Sequence, residues 1–101
     1  MIVRLTYLNF LPEKAEEAKK LYNEDIVPVV KKQNGNLDCR LLEPVDKKED
    51  FISMTVWENK ASADEYHNSG VYKELVEKVK NSFAKDPVLK VYTAENVLEP
   101  A

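Results

Sequence analysis

FISMTVWENKASADEYHNSGVYKE, residues 51–74, decides the fold, because a strand runs into a helix here and the stretch holds the single tryptophan, Trp57, and the single histidine, His67. Phe51 to Glu58 is dominated by aromatic and β-branched residues, which suit a pleated, half-buried surface and predict a strand. Asn59 offers an N-cap ahead of the helical run Lys60 to Tyr66. After the break Asn68-Ser69-Gly70, a second run extends from Val71 to Phe83. The strand thus delivers Trp57 to a helix start, and any pocket is expected to take its wall from this stretch.

Upstream, Leu37 to Val45 predicts another strand, joined to the first by the polar run Asp46-Lys47-Lys48-Glu49-Asp50 as an antiparallel hairpin. Pro44 near its end cannot donate to a ladder, so this strand is expected at an edge or with a bulge. Met1 to Phe10 alternates two largely apolar faces, one with Val3, Leu5 and Tyr7, the other with Ile2, Arg4, Thr6 and Leu8. Apolar residues then recur at helical spacing from Glu13 to Gln33, opened by Pro12 and stopped by Asn34-Gly35. Pro28 lies inside this helix and is expected to bend or locally break its last turns. Downstream, Asp86-Pro87 ends the second helical region and Val88 to Ala94 supplies a fourth strand.

The order β-α-β-β-α-β predicts an α+β, ferredoxin-like sandwich with helices on one face of an antiparallel sheet. Helices hide only that face. Yet the first, third and fourth strands carry apolar side chains on both faces, where a one-sided sheet would alternate apolar with polar. The simplest cover for the second face is the same face of another copy, related by a two-fold axis, so a homodimer is expected.

At 101 residues the chain has room for one domain, 1–101, with residues 95–101 as a C-terminal extension. Charged residues make up 33% of it, but 15 basic and 18 acidic residues are interleaved, without the Lys/Arg stripe that binding to nucleic acid requires. No run approaches the roughly 20 apolar residues that span a bilayer, and the N-terminus lacks the basic start of a secretory signal, so a cytoplasmic protein with no membrane partner is expected. Cys39 is the only cysteine. It has neither a disulfide partner nor a metal-ligand neighbour at the required spacing, and no metal site is expected.

Few residues can carry chemistry. Histidine titrates near neutrality in ordinary surroundings, so a general base working there would be His67, although a lone histidine equally fits a surface position near a helix end. Trp57 fits either an aromatic wall or ordinary core, and Tyr22 and Tyr66 bring polar tips to helices that could line a pocket or simply pack. Arg4 is the most unusual, since it stands in an apolar strand on the same face as Thr6. It is either half of an ion pair or an anchor for an anionic ligand.

TVWENKASADEYHNSGVYKE (Thr55 to Glu74), together with DIVPVVKKQNGN (Asp25 to Asn36), resembles the antibiotic biosynthesis monooxygenase domain family over nearly the whole chain. The resemblance implies a ferredoxin-like unit that dimerises through its sheet into an α+β barrel, which agrees with the unpaired sheet face. It implies either a haem-degrading enzyme or a monooxygenase that oxidises a quinol- or anthrone-like aromatic molecule with no cofactor. The haem-degrading branch uses an Asn, a Trp and a His where Thr6, Tyr66 and Val76 stand here, and this departure makes haem a minor alternative. In the cofactor-independent branch, histidines often occur where this chain has Tyr66 and Val71. The implied site has Trp57 and Tyr66 as wall, Arg4 as anion stabiliser, Thr6 and Tyr22 as further substrate contacts, and His67 or Tyr66 as proton acceptor. A dimeric barrel that binds a small aromatic ligand without turning it over is the alternative from another class.

Overall fold

The computed structural model describes residues 1–95, and the expected C-terminal extension from residue 96 onward lies outside them. Four strands, β1 (Ile2–Leu8), β2 (Asn36–Leu42), β3 (Phe51–Trp57) and β4 (Val88–Thr93), form one sheet in the order β2-β3-β1-β4. Every neighbouring pair is antiparallel, as in the ferredoxin-like sandwich. β2 is an edge strand and stops at Leu42, before Pro44, while its irregularity lies at the other end, between Asn36 and Asp38. β1 ends two residues earlier than the sequence suggests. Phe10 instead makes an isolated bridge to Phe83 and stacks on its ring, tying the end of β1 to the exit of the second helical region.

The first helical region is interrupted as Pro28 demands. A 3₁₀ turn (Pro12–Lys14) leads into α1 (Ala15–Leu21), a π-helical turn (Tyr22–Ile26) and α2 (Val27–Lys31). Pro28 has no N–H, and its ring would strike the carbonyl four residues back in a regular helix. The chain answers just upstream, where the Val27 N–H bonds the Tyr22 carbonyl five residues back. Beyond α2 the chain turns into β2 at Asn34-Gly35, with Gly35 at φ 81°. A Cβ on Gly35 would fall on the Ser62 side chain of the facing helix, so this turn demands glycine on both conformational and steric grounds.

α3 (Lys60–His67) starts on Asn59, whose side chain accepts from the Ser62 N–H at 2.9 Å, and α4 (Gly70–Val79) starts on Ser69. The Ser69 hydroxyl accepts from the Tyr72 N–H at 3.2 Å and donates to the Tyr66 carbonyl at 2.6 Å. One side chain therefore fixes the corner between the helices and the relative position of two tyrosines. All four helices lie on one face of the sheet. Between the layers sit Tyr22, Ile26 and Val30 from the first helical region, Cys39 and Trp57 from the sheet, and Ala63, Tyr66, Leu75 and Val79 from α3 and α4.

The ladder register divides the sheet into two faces. Ile2, Arg4, Thr6 and Leu8 point to the helices, whereas Val3, Leu5 and Tyr7 share the opposite face with Ile52, Met54 and Val56 of β3 and with Val88, Lys90 and Tyr92 of β4. No helix among the described residues reaches this second face. β4 is exposed along its whole length, and Val88, Val91 and Tyr92 are each at least half exposed. No helix among the described residues is long and apolar enough to cross a membrane.

Candidate functional site

Thr6 and Ser53 are direct partners in the β1–β3 ladder, so their hydroxyls project side by side from the helix-facing surface. Above them the layers do not close, which leaves a cavity of about 320 Å³. Its floor is Thr6, Leu8 and Ser53, and Tyr22 enters from the π-helical turn. Tyr66, Tyr72, Leu75 and Val76 form the opposite wall, and Phe10 and Phe83 close one end. This volume is at the lower end of the usual range for small-molecule sites, about 300–1,000 Å³, and the lining is chiefly aromatic and aliphatic with a few converging hydroxyls.

Those hydroxyls are tied together. The Tyr22 hydroxyl is hydrogen-bonded to the Ser53 hydroxyl, and the Cys39 sulfur lies 3.7 Å from the same phenol oxygen. Burial, followed by the neighbouring Cys39, pushes the Tyr22 phenol well above its ordinary pKa, against the opposing hydrogen bond from Ser53. Burial likewise pushes the Tyr66 phenol up, with Cys39 and Tyr72 adding and the Arg4 guanidinium opposing. Both tyrosines therefore keep their protons near neutrality. In that form both can donate to a negatively charged oxygen.

Trp57 is fully buried, one layer behind the cavity. Its indole N–H donates to the Thr55 hydroxyl at 2.9 Å and its ring stacks on Tyr66 with centroids 4.9 Å apart. It backs the wall and does not form it, so its expected contact with a ligand is replaced by support of Tyr66. Its end-of-strand position forces this, because β3 turns into α3 directly beneath the helix layer.

Arg4 and His67 are brought together, but elsewhere. The Arg4 side chain is only 6% exposed and its Nη2 donates to His67 Nδ1 at 2.7 Å. Its guanidinium carbon is 5.9 Å from the Tyr66 ring centroid and 5.5 Å from that of Tyr72. These rings separate the pair from the cavity. Arg4 and His67 instead line a second cleft between α3 and β4. The single site expected from Arg4, Thr6, Tyr22, Trp57, Tyr66 and His67 is thus divided, with Thr6, Tyr22 and Tyr66 on one side of the tyrosine rings and Arg4 and His67 on the other.

Thr6, Tyr66 and Val76, which stand at the positions of a haem-degrading triad, do converge on one cavity. They do not suit haem, since Val76 offers no ligand atom and no imidazole faces the cavity. No cluster of His, Cys, Asp and Glu able to hold a metal occurs among the described residues. Sequence reasoning missed Ser53 and Tyr72. A small hydroxyl between Ile52 and Met54, in register with Thr6, was the available signal for the first, and the Ser69 cap joining Tyr66 to Tyr72 was that for the second.

A family model described as antibiotic biosynthesis monooxygenase matches residues 1–78. The structure is similar to that of a Deinococcus radiodurans protein provisionally named an antibiotic biosynthesis monooxygenase, with a TM-score of 0.84 and 16% identity over 100% of this chain and 99% of the other. A protein with the same provisional name from Nitrosomonas europaea gives 0.81 and 17% over 93% and 98% of the two chains. A conserved protein from Methanosarcina mazei gives 0.80 and 19% over 94% of each. At these identities the likeness concerns the fold. No curated protein matches the sequence.

Proposed function

The chain belongs to the antibiotic biosynthesis monooxygenase family, and from that premise we propose that it oxidises a quinol- or anthrone-like aromatic molecule with dioxygen, without metal or flavin, in the cavity between the sheet and α4. One observation carries this reading. An aromatic and aliphatic enclosure converges the hydroxyls of Thr6, Tyr22, Ser53 and Tyr66, and the described residues that line it present no carboxylate, imidazole or amine.

Such a site favours a substrate that brings its own acidity and its own electrons. An anthrone ionises to an enolate in water, and the enclosed phenols, held protonated, would donate to its oxygen while the ring packs against Tyr66 and Phe83. The enolate passes one electron to dioxygen, and the resulting pair combines at the methylene carbon as a hydroperoxide. Loss of water then leaves a carbonyl there. The two methylene hydrogens and one oxygen atom depart as water, the other oxygen stays in the product, and the substrate supplies all four electrons. Oxygen-electrode measurements with a panel of anthrones and hydroquinones test this, with one dioxygen expected per anthrone and no hydrogen peroxide released. Tyr22→Phe, which removes one donor, is expected to lower kcat by about 10²-fold.

The second reading, a binding protein without turnover, is favoured by the same lack of a group in the cavity that titrates near neutrality. Saturable binding of the aromatic panel with no oxygen uptake above a heat-denatured control would select it. In either case we propose that the functional unit is a cytoplasmic, single-domain homodimer. Its interface would be the sheet face bearing Val3, Leu5 and Tyr7, which no helix among the described residues covers.

A further inference from the structure

The division of the expected site leaves a buried cation unexplained. Arg4 is among the most enclosed residues of β1, yet among the described residues it makes no salt bridge. Its neighbours are a histidine nitrogen and two tyrosine rings, and none of them carries negative charge. Arginine cannot give up its proton in a protein, so Nδ1 of His67 must be the acceptor, and the proton of the neutral ring resides on Nε2. Both side chains are therefore donors. A buried guanidinium without a counter-charge is costly, and its planar fork of N–H groups matches a carboxylate in two-point contact.

The surroundings define the rest of the ligand. The cleft has a volume of about 490 Å³, with Arg4 and His67 at its polar end. Ile2, Ala63, Leu89 and Val91 give it apolar walls, and Leu89 and Val91 are exposed. Asp64, the one acid among the described residues lining the cleft, is engaged by Lys60 on the same helix. We propose that the cleft between α3 and β4 binds a small monocarboxylate with an apolar body, the carboxylate on Arg4 and the body along Leu89 and Val91. This site is separate from the aromatic cavity and does not depend on any reaction there.

Octanoate and benzoate, each compared with its neutral amide, are the probes. Calorimetric titration of the full chain, with backbone amide shifts followed by NMR, should show one saturable site per chain, and shifts concentrated at residues 88–93 and at His67. The amides should bind about 10- to 100-fold more weakly, the cost of losing a charged hydrogen-bond pair. Arg4→Lys keeps the charge but loses the fork and should weaken binding by about tenfold. Because Arg4 is buried and that variant could lose its fold, Val91→Trp, at an exposed position, provides an independent block of the cleft and should abolish binding. Val76→Trp, which fills the aromatic cavity, should leave binding unchanged. Absence of binding by either carboxylate up to about 10 mM would overturn the proposal. So would equal binding of the amides, or loss of binding in Val76→Trp with retention in Val91→Trp.

Discussion

Replacing Leu5 by arginine tests the uncovered sheet face at its centre. Leu5 is paired with Met54 on β3 and with Lys90 on β4, and it points away from the helices. In the isolated subunit it is half-buried, so a long side chain there can reach water. In a two-fold sheet-to-sheet dimer both copies of Leu5 lose that water. Fully burying a leucine contributes about 1.5–3 kcal/mol, about half of which is left for the dimer to gain at a half-buried position, and the symmetry counts it twice, so the variant should forfeit about 1.5–3 kcal/mol of association free energy. At about 1.4 kcal/mol per factor of ten, the dimer dissociation constant should rise by about 10- to 10²-fold. Arginine also stands opposite Lys90, whereas glutamate would find a partner in it and give the weaker test. Sedimentation equilibrium at low micromolar concentration should give twice 11.6 kDa for the parent chain and a marked shift toward monomer, or unfolded chain, for the variant. A folded parent monomer, or an unchanged dissociation constant in the variant, would refute the reasoning.

Alkaline pH should destabilise the fold through its buried phenols. A folded-state pKa raised above the unfolded value gives stability that is intact below about pH 10 and is lost above it, at up to about 1.4 kcal/mol per pH unit for each of Tyr22 and Tyr66. Urea titrations between pH 9 and 11 should show this slope, and Tyr22→Phe should remove about half of it. Cys39, also raised by burial, should begin to contribute earlier, above its ordinary thiol range. Gly35→Ala should cost at least about 1–2 kcal/mol from left-handed strain alone, with the Ser62 clash added, and chemical denaturation would reveal an unaltered midpoint if that account fails. Haem mixed with the protein, ascorbate and catalase should keep its iron, since no imidazole faces the cavity, and an iron-chelator assay reports any release.

The strands and helix stops were legible because their signals are local: β-branched runs, the Asn59 cap, the Asn34-Gly35 turn and the two apolar rows of β1. Alternation fixed the two rows of β1 but not their direction, which only the resemblance, with its pocket residue at Thr6, suggested; the structure puts Arg4, Thr6 and Leu8 toward the helices. Site membership was not legible. Arg4 and Thr6 share a face two residues apart, but the rings of Tyr66 and Tyr72 come between the spaces they line, and those rings arrive from helices more than sixty residues along the chain. Burial of Trp57 was equally invisible, because an aromatic residue at a strand end reads the same whether a helix roofs it or stops short.

The π-helical turn has a consequence for the arithmetic of the first helical region. Ala18, Tyr22, Ile26 and Val30 are all buried and follow one another at intervals of four. In an uninterrupted helix of 3.6 residues per turn, each interval of four overshoots a full turn by about 40°, so that Val30 would stand about 120° around the axis from Ala18. A wider turn takes up part of the excess and lets the four residues stay aligned above the sheet. The proline thus permits a strict four-residue stripe that a regular helix would wind out of the core. Deleting one residue between Leu21 and Val27 would restore ordinary winding, and seven regular steps of about 100° would leave the Tyr22 end within about 20° of Val30, so the stripe would keep its facing without the wide turn.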